Sequence, residues 1–316
     1  MSLGGYICRR ILTIIPVLLG ISVIAFMLGV IAPGDPAVEV LSLNGYSQPT
    51  VEEIEQMRIK LGLDQPLHIQ YGQWLMSAVQ GDLGVSYMTG ASVTGEILRR
   101  LPFTFSISVL AVIFAVSIGL PLAMLMAVSK NSIFDHLGRV VALIFVSTPG
   151  FWLAILLITL FAEELKILPT SGYGTLKHLI LPAFVLAAGT IGVIMRLGRA
   201  TLLEVLNQNY ILAANAKGLP KAEIVTKHAL LNALTPIVTL VGTYFGNILG
   251  GSVIVEVIFA IPGMGQLAID AIFRRDYPVI QGYVIFAGLV FVFFNLLIDL
   301  LYVVINPQVK LGGRIR

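Results

Sequence analysis

Charged residues are scarce in this chain. Only 12% of its 316 residues are Asp, Glu, Lys or Arg, 57% are hydrophobic, and the mean hydropathy is +0.93. A soluble domain carries roughly a quarter charged residues, so this chain has too little polar surface to cover a water-soluble fold. The composition excludes an ordinary soluble protein and indicates one that crosses a membrane several times.

Cysteine is nearly absent as well, because Cys8 stands alone. A single cysteine excludes an internal disulfide and a cysteine-built metal site. The four histidines lie in different loops without the spacing of metal ligands, so we predict no metal site. The basic residues are scattered at the ends of apolar runs and not clustered, which argues against a nucleic-acid partner.

Motifs for catalysis are also missing. The chain has no Gly-x-x-x-x-Gly-Lys-[Ser/Thr] phosphate loop, no His-Glu-x-x-His helix and no Gly-x-Ser-x-Gly turn. We therefore predict no catalytic residue and no cofactor in this chain. Any use of ATP and Mg²⁺ would have to occur on a partner subunit.

Six apolar runs are long enough to cross the hydrocarbon core, which takes about 20 residues in a helix. We expect an all-α protein with spans near 11–32, 102–128, 140–162, 179–195, 233–259 and 279–305. The fourth run is the shortest. The first run is too long for a signal peptide and ends without a cleavage site, so it is predicted to remain as an uncleaved span.

The distribution of Lys and Arg predicts the orientation. If the N-terminus is inside, twelve of the 20 basic residues fall in cytoplasmic segments and four in the two short outer loops. Cytoplasmic loops carry the excess of Lys and Arg in membrane proteins. We therefore expect both termini, and the loop 210–232, in the cytoplasm.

The chain divides into three segments on this scheme. Residues 1–97 would hold the first span and a large extracytoplasmic loop, 98–306 the transmembrane core, and 307–316 a cytoplasmic tail. Within the large loop, Glu52–Leu61 and Leu67–Val79 have the spacing of amphipathic helices. The loop is either a cap over the helix bundle or a platform for another protein on the outer side.

The loop 210–232 is a polar, alanine-rich interruption between apolar runs. Ala213, Ala214 and Ala216 predict a short helix with little side-chain bulk. Gly218 is expected to end it as a C-cap, with Lys217 in the last turn. Such a helix suits the groove of another protein, but the residues alone also fit an ordinary helical loop.

The spacing in this loop resembles the "EAA" loop of binding-protein-dependent ABC importer permeases. The matching residues are Leu212-Ala213-Ala214, then Gly218, then His228-Ala229-Leu230. Two positions depart from the family pattern: Leu212 stands where glutamate is expected and Leu231 where proline is expected. Six further segments, in the order found in that family, look like its dipeptide, oligopeptide and nickel branch: Ala32–Pro36, Leu61–Pro66, Gly81–Gly84, Leu168–Thr170, Ile261–Gly265 and Arg275–Gln281.

This resemblance implies a type I importer permease with a cytoplasmic coupling helix. Its partners would be a second, related permease forming a heterodimer, two cytoplasmic ABC ATPases, an extracytoplasmic solute-binding protein and the lipid bilayer of a prokaryotic cytoplasmic membrane. The residues assigned to ATPase docking are Tyr210, Ala213, Ala214, Ala216, Lys217, Gly218 and His228.

Five residues are candidates for the solute pathway or its gate. Pro149 is expected to kink the third span. Gly246 and Gly250 belong to a small-residue repeat that fits either helix packing or a flexible gate. Glu256 faces either the pathway or the membrane interface, and Asp299 either pairs with a base or caps a helix, because carboxylates inside spans are costly.

The solute is the least determined property. Short peptides are the leading prediction, and nickel or another metal chelate is the alternative. A stand-alone secondary carrier or channel is a third possibility of a different class, which would purify without ATPase subunits.

Overall fold

The computed structural model describes residues 3–31, 34–43, 45–46, 48–249 and 252–305, except for the side chains of 3–11, 43 and 299–305. The described residues form fourteen α-helices and two short π-helical segments. The α-helices are α1 (Leu3–Ile31), α2 (Pro36–Leu43), α3 (Val51–Lys60), α4 (Leu67–Val79), α5 (Val93–Val128), α6 (Ile133–Ser147), α7 (Gly150–Leu157), α8 (Leu176–Leu206), α9 (Asn209–Ala216), α10 (Lys221–Glu223), α11 (Leu230–Leu249), α12 (Val253–Ile258), α13 (Met264–Arg274) and α14 (Tyr277–Ile305). The π-helical segments are Ile158–Glu164, after α7, and Ile224–Ala229, between α10 and α11.

The membrane-crossing helices confirm the predicted all-α fold. Within the described residues, five helices are long and apolar enough to span a bilayer, and six if the bent pair Ile133–Ser147 and Gly150–Glu164 counts as one span. The fourth span was predicted to be the shortest, and this prediction is wrong. Its helix, α8, is one of the longest because it continues well beyond residue 195. The prediction ended there because Arg196 and Arg199 follow, whereas in the structure Arg199 is paired with a carboxylate.

The fifth predicted span, 233–259, is divided. α11 ends at Leu249, and the separate helix α12 begins at Val253. The sequence predicted that Glu256 lies within one long span. In the structure it lies in a separate short helix.

The chain forms two compact units. Among the described residues, the first consists of those in 104–261 and 293–305, and the second of those in 3–103 and 262–292. Each unit combines segments that are distant in the sequence. Residues 262–292, for example, belong to the same unit as the N-terminal segment.

In the second unit, both predicted amphipathic helices are present as α3 and α4. α3 begins with a capping box in which the backbone N–H of Thr50 donates to Glu53 Oε2 at 2.7 Å. That hydrogen bond lowers the pKa of the Glu53 carboxyl. α4 is attached to α1, because the Tyr71 and Ser22 hydroxyls lie 2.8 Å apart and Tyr71 stacks edge-on against Phe26.

The second unit also contains a helix that was not predicted. α13 buries Met264, Leu267 and Ala271 in a cluster with Val93 and Val279. It lies between the predicted fifth and sixth spans, where the sequence analysis placed no helix.

In the first unit, helices approach closely where glycines face a neighbour. A Cβ on Gly192 of α8 would lie 2.5 Å from the carbonyl oxygen of Ala142 on α6. A Cβ on Gly246 of α11 would lie 3.1 Å from the Cβ of Phe294 on α14. Such small residues allow tight helix contacts in membranes.

Candidate coupling site

The short helix after α8 has the ends that its sequence predicts. α9 ends at Ala216, Lys217 is the C-cap residue, and Gly218 has a φ of +78°. Glycine adopts this left-handed conformation without the steric cost of a Cβ. The Gly218 N–H donates to the carbonyl of Asn215 at 2.9 Å, and α10 begins at Lys221. The predicted stop at Gly218 is confirmed, although the C-cap itself is Lys217, one residue earlier.

α9 has one buried face and one exposed face. Ile211 and Ala214 are buried in an apolar cluster that includes Leu202 of α8, Ile224 and Ala233. The exposed positions of α9 and its cap are Asn209, Tyr210, Leu212, Ala213, Asn215, Ala216 and Lys217, with Leu212 58% exposed. The outward surface therefore mixes polar and apolar side chains and is, at its two alanines, almost without side-chain bulk.

Ala214 does not belong to this outward face. Its side chain is only 8% exposed and packs within the cluster. The prediction that all three alanines contact a partner is corrected at this position: Ala214 holds the helix in place, and its small size lets α9 lie close to the helices beneath it. The sequence pattern marked the residue but could not tell which side it faces.

The two ends of the 210–232 stretch are connected by a hydrogen bond that the sequence did not reveal. The Asn232 amide on α11 donates to the Tyr210 hydroxyl at 2.8 Å and to the carbonyl of His228 at 3.0 Å. His228 is half-buried in the π-helical segment, so it supports the loop more than it exposes a contact surface.

The predicted kink in the third span is present. Pro149 is the N-cap of α7, and the helices before and after it are bent by 103°. A cavity of about 320 Å³ lies at this bend, lined by Thr148, Gly150, Gly189, Ser252 and several apolar residues. Non-helical backbone at membrane depth is tolerated where it faces protein or a water-filled cavity.

Two further pathway candidates, Gly246 and Glu256, do not line this cavity. Gly246 packs against Phe294, which favours helix packing over a gate. The Glu256 side chain is 0% exposed and accepts a hydrogen bond from Thr104. Gly250 and the side chain of Asp299 lie outside the described residues, so their roles stay predictions.

The comparison with protein families decides the identity. Residues 119–311 match the family described as binding-protein-dependent transport system inner membrane component. Residues 4–108 match the N-terminal family of binding-protein-dependent transport system membrane components. The chain belongs to this family. It is thus a permease subunit of an ABC importer and a multi-pass inner membrane protein, and its membership implies ATPase subunits and a solute-binding protein as partners.

Relatives of this permease match it over almost its whole length. A Brucella abortus protein named "Putative peptide transport system permease protein" is 41% identical over 312 residues, covering 96% of this chain and 98% of the relative. The Escherichia coli glutathione transport system permease protein GsiC is 39% identical over 306 residues, covering 97% and 99%.

A solved structure shares the fold. The inward-facing MetNI methionine ABC transporter matches with a TM-score of 0.56 at 21% identity, covering 66% of this chain and 96% of that chain. At this identity the likeness shows the fold of the matched part of the chain and no more.

Proposed function

We propose that this permease imports short peptides or peptide-like solutes, and that α9 is the helix through which cytoplasmic ATPases drive it. The observation that carries the docking role is the exposed face of α9, where Ala213 and Ala216 leave little side-chain bulk next to the exposed Leu212. At small residues such as these, a helix can approach the surface of a partner closely. The buried Ile211 and Ala214 attach the same helix to the permease.

The proposed orientation places both termini and α9 in the cytoplasm. The excess of Lys and Arg in the segments on that side supports it. With Leu212 at the position of the family's glutamate, docking depends on shape and apolar contact, and no salt bridge from that residue is required. Lys217, at the C-cap, would meet an acidic rim of the ATPase.

The proposed solute follows the printed names of the relatives, which are peptide and glutathione transport permeases. Peptides and glutathione share amide bonds and a terminal carboxylate. The nickel alternative has no observation of its own in the described residues. We propose that the cavity at the Pro149 bend forms part of the pathway wall, and that a second, different permease supplies the opposite wall.

The test uses the importer reconstituted in lipid nanodiscs with its own partner permease, ATPases and solute-binding protein. Ala213→Arg places a long charged side chain on the outward face of α9 and should abolish the stimulation of ATP hydrolysis by the loaded binding protein. Ala222→Arg is the matched control, because Ala222 is also exposed but lies on α10. Normal stimulation with Ala213→Arg would contradict the docking role.

A transport assay in the same system identifies the solute. Uptake of a labelled dipeptide should be competed by unlabelled dipeptide and not by a nickel chelate. The reverse order of competition would establish the metal-chelate alternative.

A further inference from the structure

A buried carboxylate lies away from both the docking face and the cavity. The side chain of Asp135 on α6 is 0% exposed. Arg199 on α8 donates two hydrogen bonds to it, from Nε to Oδ1 at 2.5 Å and from Nη2 to Oδ2 at 2.7 Å. The backbone N–H of Asn131 donates to the same carboxylate at 2.9 Å. This is a two-point ion pair, in which both the distance and the relative angle of the side chains are set.

The pair connects the helix that leads into α9 with the helix that ends at the bend. Arg199 lies about two turns before the end of α8, and only Asn207 and Gln208 separate α8 from α9. Asp135 lies in the first turn of α6, whose other end is Ser147, immediately before the cavity at Pro149. The ion pair therefore lies between the proposed site of ATPase docking and the proposed pathway wall.

The surrounding contacts leave α6 little freedom against its neighbours. A Cβ on Gly138 of α6 would lie 2.6 Å from the Cγ of Met126 on α5, and the Gly192 contact with Ala142 lies further along the same helix. These contacts leave no room for α6 to move closer to α5 or α8. The ion pair limits sliding of α6 along α8, because separating Arg199 from Asp135 would break both hydrogen bonds and leave the buried carboxylate with the longer contact to Arg139 Nε, at 3.7 Å on its own helix.

We infer that Arg199 and Asp135 are positioning residues that make α6 follow α8, so that a displacement of α9 by the ATPases reaches the bend at Pro149. This role rests on the proposed docking of α9. The pair carries no chemistry on the solute; it keeps three segments of the permease moving as one body.

The test measures whether α6 and α9 move together. In a Cys8→Ser background, spin labels at exposed Asn209 on α9 and exposed Ile144 on α6 report the distance between the two helices. In the complete complex with the wild-type pair, this distance should be the same without nucleotide and with ATP bound. In Asp135→Asn it should change between the two states, and solute transported per ATP hydrolysed should fall about tenfold.

Two further variants separate this role from simple loss of folding. Arg199→Lys keeps the charge but gives up the two-point geometry, and it should lower transport per ATP less than Asp135→Asn does. Arg196→Gln removes an exposed cation one turn away on the same helix and should leave transport per ATP at the wild-type value. A purely structural pair would lower the amount of assembled complex without altering transport per ATP.

The outcomes distinguish this inference from the proposal beneath it. If the Asp135→Asn complex keeps a constant label distance and the wild-type transport per ATP, the positioning role is wrong while docking stands. If Ala213→Arg leaves stimulation intact, the docking proposal fails and this role fails with it.

Discussion

The Thr104 hydroxyl on α5 donates a 2.8 Å hydrogen bond to the Glu256 carboxylate on α12, and both side chains are 0% exposed. The two residues are 152 positions apart in the chain. A carboxylate buried in a membrane domain is costly unless polar partners surround it. This contact therefore fixes the short helix α12 against α5, close to Ser252 and Val255, which line the cavity at the bend.

Replacing the carboxylate should destabilise this part of the permease. Glu256→Ala leaves the Thr104 hydroxyl without this acceptor, and we expect a loss of about 1–3 kcal/mol. Glu256→Gln keeps an oxygen that accepts the same hydrogen bond, so this variant should lose less stability than Glu256→Ala. Thermal unfolding in detergent measures both. An alanine variant as stable as the wild type would show that the contact does not stabilise the structure.

The contact between α11 and α14 should tolerate no larger residue at Gly242. A Cβ at this position would overlap the Ile298 side chain, so Gly242→Val should destabilise the permease by about 1–3 kcal/mol through overpacking. Gly20→Val is the control, since a Cβ on Gly20 of α1 meets nothing within 4 Å. Thermal unfolding measures the stability of both variants. Equal stability of Gly242→Val and Gly20→Val would contradict this packing.

A buried aspartate orders the loop 84–92 in the second unit. Asp276 accepts hydrogen bonds from the Ser86 hydroxyl and from the backbone N–H of Tyr87, the latter at 3.0 Å. Asp276→Ala should release this loop and raise its amide hydrogen exchange. Asp64→Ala, at an exposed aspartate of the same unit, should leave exchange there unchanged. Unaltered protection of the loop in Asp276→Ala would show that other contacts hold it.

Local features of the fold were accessible from the sequence. α9 ends just before Gly218 because a glycine readily adopts the positive φ needed there. The kink at Pro149 depends on the N–H that proline lacks. Both features therefore follow from residue type. Apolar periodicity was sufficient for α3 and α4.

Features that depend on packing between distant segments were not accessible. The Asp135–Arg199 pair joins residues 64 positions apart, and nothing in either local sequence marks a partner. The same limit explains the misplaced end of α8, because Arg199 looks like a helix terminus until its carboxylate is known. Which alanine of α9 faces outward was likewise decided by the neighbouring helices.

The central claim is that the exposed face of α9 meets an ATPase on the cytoplasmic side. The most direct measurement places a single cysteine at Ala213, with Cys8→Ser, in cells that express the whole importer. We predict that a short cross-linker joins this cysteine to the ATPase subunit, and that a membrane-impermeant maleimide added to intact cells does not label it. Labelling from outside, without a cross-link to the ATPase, would contradict the account.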